Sequence, residues 1–326
     1  MAVVIVVAVL IATLPGLDTL RSSFAGARPA WIVAALVLQL ASVASFVAAF
    51  RGAFARRISW RPCVAMAMTV QGANVLLPAG GTGGLAVSAV IMTRAGLPES
   101  WVASRTVALF LLTSLVSFLA IILAGLGVAS GVLAGNAGFA ASALPALVAA
   151  LIVAAAAYLP GRLDVRTRSP QGRVMRTARR ALVYLDDGVR WSADLLRLRD
   201  SLLIFGSLGY LAFDLGAMAA AFKAFGSGGL PLGTLVLAYT IGQAGAIIPL
   251  PGSSEGGLIG AFALYGVPLA LATSAVLLYR VFQAGIPAIL GLIGMADVRH
   301  LLREAPPPAE VARLFESQAS SEHNAR

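Results

Sequence analysis

Histidine and cysteine are almost missing from this 326-residue chain: two histidines, His300 and His323, and a single cysteine, Cys63. One cysteine forms no disulfide within the chain and says nothing about redox compartment. Two histidines near the C-terminus leave no material for a His-ligated metal site or a His-based triad in the apolar body. Lysine occurs once, at Lys223, so the P-loop motif with its phosphate-binding lysine is absent, as is H-E-x-x-H. Charge is scarce as well. Asp, Glu, Lys and Arg make up 12% of the residues, against roughly 25% in ordinary soluble domains.

What fills the chain is apolar. Hydrophobic residues account for 59% and the mean hydropathy is +0.89, which defines an all-α integral membrane protein. The net charge of +10 does not point to nucleic acid, because the arginines cluster in short loops between apolar spans. That is the positive-inside pattern. It predicts a plasma (inner) membrane protein with both termini cytoplasmic.

In order, residues 1–14 read as a first transmembrane helix and residues 30–50 as a second. Arg51, Arg56, Arg57 and Arg61 then mark a cytoplasmic loop. Residues 62–77 and 82–95 are each too short to cross a hydrocarbon core of about 30 Å comfortably, and PAGG (78–81) separates them. They read as a re-entrant hairpin dipping from the cytoplasm. Residues 102–128 and 139–159 are full spans. Residues 161–200 carry ten arginines against five aspartates, with Val174, Ala178, Leu182, Leu185, Val189 and Leu196 at helical spacing. That predicts amphipathic helix on the inner membrane surface. Residues 201–225 span again. Two short arms, 232–248 and 253–265, come next around PLPG (249–252) as a second hairpin, dipping from outside, and residues 269–296 form the last span. The expectation is therefore about six full transmembrane helices plus two re-entrant hairpins. The membrane domain covers 1–298 and a flexible cytoplasmic tail 299–326.

The halves 30–128 and 201–296 run in opposite directions, so the topology implies an inverted repeat. Pro78 aligns with Pro249, Gly81 with Gly252, Gly96 with Gly266 and Pro98 with Pro268. Inverted repeats with broken helices place a binding site where the breaks meet. Each return arm begins at mid-membrane, near Thr82 and Ser253, which are expected N-caps. The positive ends of two helix dipoles then face inward, which suits a phosphate. Gly80, Gly81, Gly83, Gly84, Gly252, Gly256 and Gly257 let backbone approach a ligand, although Gly252, Gly256 and Gly260, four apart, equally suit helix packing. Glu255 at membrane depth needs a cavity or a partner, and Arg280 is its best candidate. Asp214, halfway along its span, is a second coupling candidate or a structural hydrogen bonder. Gln71, Asn74 and Gln243 lie just before the breaks. The expected substrate-binding set is Asn74, Pro78, Gly80, Gly81, Thr82, Gly83, Gly84, Pro251, Gly252, Ser253, Glu255 and Arg280, with Glu255 and Asp214 as coupling groups.

Three stretches carry a family resemblance: NVLLPAGGTGGLA (74–86), EGGLIGAFALYGVP (255–268) with its AGLP echo at 95–98, and LLYR (277–280). With them the chain, over roughly residues 30–296, resembles the flippase-like transmembrane family named for the membrane half of lysylphosphatidylglycerol synthase. The family's second turn usually reads P-x-P-G-G-h-G, with a few further residues before the acid, and PLPGSSE is shorter. The synthase's soluble aminoacyl-transferase domain has no counterpart in these residues, so the resemblance implies translocation rather than synthesis. The expectation is a translocase for a lipid or polyprenyl-phosphate-linked head group. It uses no cofactor, metal, catalytic residue or nucleic acid, and a homo-oligomer is compatible with it. A membrane-embedded partner or scaffold, or a carboxylate-dependent transferase, are the alternatives.

Overall fold

The computed structural model describes residues 25–54, 59–76, 83–136, 138–158, 188, 200–226, 228–247 and 252–304. Regular structure among them is entirely helical: α1 (Pro29–Ala53), α2 (Trp60–Leu76), α3 (Gly83–Arg94), α4 (Glu99–Ala129), α5 (Phe139–Tyr158), α6 (Ser201–Ala224), α7 (Leu232–Gly242), a 3-10 turn (Gln243–Ile247), α8 (Ser253–Leu264) and α9 (Leu269–Glu304). The helix expected at 1–14, both hairpin turns with Pro78, Gly80, Gly81, Thr82 and Pro251, the amphipathic segment apart from Gly188 and Asp200, and the tail from 305 lie outside the described residues.

Five helices are long and apolar enough to cross a membrane: Pro29–Ala53, Glu99–Ala129, Phe139–Ala156, Ser201–Ala224 and Leu269–Arg303. These are the five spans the sequence places within the described residues. One boundary differs. The last helix continues to Glu304, so residues 299–304 are helical where a tail was expected. Leu123, Leu147, Leu151, Leu292 and Ile293 are more than half exposed, as apolar side chains facing lipid are.

Local chemistry sets the helix ends. Pro29 opens α1, where its missing N–H removes no helix bond. The Asp200 side chain caps α6 by accepting from the N–H groups of Leu202 and Leu203 at 2.9 and 3.2 Å. Arg105, buried in α4, donates to the Ala53 carbonyl at the C-terminus of α1, where a cation meets the negative end of the helix dipole.

Contacts between helix ends define two ends of the bundle. α1 and α6 are antiparallel along their length, with the Arg28 N–H donating to the Ala224 carbonyl and Gly52 against Leu203. α2 and α9 are antiparallel too, from the Arg61–Asp297 ion pair at 3.0 Å to Gly72 against Gly291. Phe54 stacks on Trp101, bringing the start of α4 to the end of α1. One end therefore gathers Arg51, Arg61, Arg94, Arg299 and Arg303. At the other, Lys223 lies over Trp31, the Gly233 N–H donates to the Ala134 carbonyl, and the Tyr265 hydroxyl donates to the Ala141 carbonyl. The α2–α3 hairpin starts and finishes at the basic end. The α7–α8 hairpin starts and finishes at the far end.

The two hairpins are built alike. Entering arms of 17 residues in one, and of 11 plus a 5-residue 3-10 turn in the other, each precede a 12-residue return arm. Each return arm closes in a Schellman motif around a left-handed glycine, Gly96 (φ 94°) or Gly266 (φ 80°). The Leu97 N–H reaches Met92 and the Gly96 N–H reaches Thr93; Val267 and Gly266 repeat this onto Phe262 and Ala263. Pro98 and Pro268 then accept the first bonds of α4 and α9, from Val102 and Ala272. Outside its own hairpin, each entering arm packs most closely on the long helix of the other half, α2 on α9 and α7 on α4.

Glycines permit these close approaches. A Cβ at Gly72 would sit 2.6 Å from Gly291 Cα and 2.9 Å from the Pro287 carbonyl, whereas Gly260 faces open space. Gly72→Leu therefore overpacks the α2–α9 seam and is expected to lower stability by about 1–3 kcal/mol or more. Gly260→Ala is expected to be neutral or stabilising by up to about 1 kcal/mol. Thermal unfolding of the detergent-purified variants checks both, and equal melting of the two would show that the seam is not close-packed.

Candidate functional site

Glu255 occupies the first turn of α8, a position where a carboxylate complements the helix dipole. It also reaches across to α9. Arg280 Nε donates to Glu255 Oε1 at 2.8 Å, and Arg280 Nη1 donates to the Gln283 side-chain oxygen. The expected pairing of Glu255 with Arg280 is thus present despite the short PLPGSSE turn. Arg280 lies 11 residues beyond Leu269, roughly 16 Å along α9 from its far-end start. The side chains of Arg280 and Glu255 remain 21% and 31% exposed.

The return arm is capped differently from expectation. The N-cap of α8 is Gly252, in the left-handed region at φ 82°, and Ser253 is the first helical residue. Gly252 accepts from the Gly256 N–H at 2.8 Å and, as glycine, has no side chain with which to cap the turn. Glycine takes the cap because the chain must enter the helix through a positive φ that serine adopts poorly. In the first hairpin, Asn74 at the end of α2 accepts from the Gly84 N–H at 2.8 Å. Its oxygen supplies the bond to the start of α3, a cap delivered across the hairpin.

The glycines divide by role. A Cβ on Gly84 would run into the Val70 carbonyl, and one on Gly257 would lie 2.6 Å from the Gly242 carbonyl. Both are seams between hairpin arms, not openings for a ligand. Gly252, Gly256 and Gly260 meet nothing within 4 Å, so this four-residue spacing packs no helix among the described residues. Gly83 opens α3.

Gly252 to Gly256 spells GSSEG, which fits G-x-S-x-G letter by letter. The nucleophile elbow needs a strand-to-helix turn and a histidine partner. Here Ser254 lies in the first turn of a hairpin helix, while His300 lies at the basic end of α9, remote from it along the helix.

A second cluster sits deeper. Asp214 of α6 is 5% exposed. Its Oδ2 accepts from the Tyr279 hydroxyl at 3.0 Å and from the Tyr239 hydroxyl, and the two hydroxyl oxygens lie 3.0 Å apart. Gln243 Nε2 donates to the Tyr239 oxygen at 2.9 Å. Gln39 of α1 faces the same carboxyl, and the charge of Arg280 acts on it. One turn back on α6, Tyr210 faces Gln71 of α2. Gln71 and Gln243, which lie just before the breaks, bracket this buried network. Sequence reasoning missed Tyr239, Tyr279, Gln39 and Gln283. The usable signal was spacing: Tyr239 lies one helical turn before Gln243, and Tyr279 directly precedes Arg280.

Together the spanning helices, the paired hairpins and the buried charges define a polytopic membrane protein with a polar centre. Its sequence then places it: the chain belongs to the lysylphosphatidylglycerol synthase TM region family, whose model matches residues 1–291. The match takes in both hairpins and most of α9. No curated protein matched the chain.

If the Asp214 cluster is one unit, Tyr239→Phe and Tyr279→Phe each cost about 1 kcal/mol or more of stability. The double variant is expected to depart from their sum by at least about 0.5 kcal/mol. Unfolding of the four proteins in one detergent closes the cycle, and strict additivity would separate the two tyrosines energetically.

Proposed function

We propose that this protein is a membrane translocase for a lipid or lipid-linked anionic head group. The observation that carries this reading is the half-open Glu255–Arg280 pair at the start of a return arm. A guanidinium held by a carboxylate at membrane depth can exchange that partner for a phosphate, which it binds in the same forked geometry. The start of α8 adds the positive end of its dipole.

Two features support the reading beyond the family's link to membrane lipid. The hairpins enter from opposite ends with matching arms and matching glycine closures, the arrangement of an inverted repeat with re-entrant elements. The basic end, by its arginines, faces the cytoplasm of a plasma membrane. Glu255 then acts as a gate: it neutralises Arg280 when the site is empty and yields when a head group arrives. In this reading Asn74, Pro78, Gly80, Gly81, Thr82 and Gly83 of the first hairpin and Pro251, Gly252 and Ser253 of the second supply the rest of the head-group site. Translocation of this kind breaks no covalent bond and needs no catalytic residue.

Proteoliposomes carrying fluorescent phosphatidylglycerol, phosphatidylcholine or a polyprenyl phosphate test this directly. Wild type is expected to move an anionic class. Arg280→Gln is expected to slow it by about 10–100-fold, the loss of one charged hydrogen-bonding partner. Glu255→Gln, which keeps the shape but not the charge, should change rate and pH dependence together. Folded wild-type protein that moves none of the three lipids would overturn the reading.

A further inference from the structure

Two buried acceptors in the core lack a donor: Asp214 Oδ1 and Gln39 Oε1. Both residues are at least 95% buried, and buried polar atoms in folded chains are nearly always satisfied. Asp214 Oδ2 already accepts both tyrosine hydroxyls. The groups acting on this carboxyl come from four helices. α1 supplies Gln39; α6 itself supplies Tyr210, one turn away; α7 supplies Tyr239; α9 supplies Tyr279 and Arg280. Arg280, the one cation among them, is engaged by Glu255 and Gln283.

We infer that Asp214 is a proton-binding site, with its carboxyl holding a proton on Oδ1 and donating it to the Gln39 amide oxygen. One proton then satisfies both orphaned acceptors. Which way the Gln39 amide faces is set by the bonds it makes. The acid is thereby neutral where an ionised carboxylate would be costly. On release the proton passes to water and the carboxylate keeps its electron pair, now facing the Arg280 charge.

This has a consequence for the translocase, and that part rests on the reading above. An ionised Asp214 competes with a bound head group for the field of Arg280. A protonated Asp214 does not. Proton and anion therefore bind together, each raising the affinity for the other by the same factor. Polar groups of both halves meet here: Tyr239 and Gln243 of the second hairpin join Asp214 through hydrogen bonds, and Tyr210, one turn from Asp214 on α6, faces Gln71 of the first hairpin.

Infrared difference spectroscopy on the full chain in phosphatidylcholine nanodiscs reads the proton without any anionic lipid. A protonated-carboxyl band is expected at neutral pH in wild type and in Glu255→Gln. It should be absent in Asp214→Asn and shifted in Tyr279→Phe, where the carboxyl loses a hydrogen bond. Asp214→Asn imitates the neutral acid, so it should fold and melt like wild type; should it not fold, the Tyr279→Phe shift alone decides. A band that is absent in wild type, or unmoved by both substitutions, overturns the proton site and leaves the translocase reading standing. Replacing part of the lipid with phosphatidylglycerol should move the pH at which the band disappears upward. A disappearance at the same pH in both lipid mixtures overturns the linkage.

Discussion

Everything in this chain depends on satisfying backbone groups where no water reaches them. A helix broken at membrane depth leaves N–H and C=O groups that lipid cannot bond, so each break must be pressed against protein. The hairpins meet that demand by crossing into the other half: α2 lies on α9 and α7 on α4. Gly72, Gly291 and Gly294 bring α2 and α9 to backbone contact, and Gly242, Gly245 and Gly257 do the same between the arms of the second hairpin. Asn74 adds a side-chain bond that steadies the start of α3. Apolar bulk alone gives little drive between helices in lipid, because the tails are as apolar as leucine. Small residues and a few polar contacts carry the specificity instead.

From that constraint comes the placement of charge. At the second break, acid and base occur together. Glu255 sits in the first turn after a break, where its charge also offsets the helix dipole, and Arg280 comes from the long helix α9 that covers it. Asp214 has no break of its own. It is accommodated by hydroxyls and amides brought in from α1, α7 and α9.

The sequence made much of this legible, for reasons tied to particular residues. The spans were readable because an apolar run of membrane length is seldom anything but a span. The hairpins were readable because PAGG and PLPG cannot continue a helix and because AGLP echoes YGVP. Those echoes are the two Schellman closures. Glu255 and Arg280 could be paired because two opposite charges in an apolar stretch have few partners to choose between. Other features left no such mark. Glycine announces a close approach but not which helix approaches, so Gly84 and Gly257 read as ligand contacts when they are seams. Ser253 looked like a cap because serine caps helices well, whereas the cap depends on φ, and the positive φ fell one residue earlier on Gly252. Tyr239 and Tyr279 were invisible because a tyrosine in a span is commonplace. Only the fold shows that two of them point at one carboxylate.

α9 ties the two polar centres into one device. Tyr279 and Arg280 are consecutive, so their side chains leave the helix about 100° apart. One faces Asp214 and the other faces Glu255. Both contacts therefore hang on the same turn of helix. The turn is also where α9 is weakest, because Pro287 has no N–H to offer the carbonyl of Gln283, whose side chain holds Arg280. Below it, the Pro287 carbonyl and Gly291 form the seam with Gly72 of the first hairpin. A single stretch of helix thus contacts the buried acid, the exposed ion pair and the opposite half.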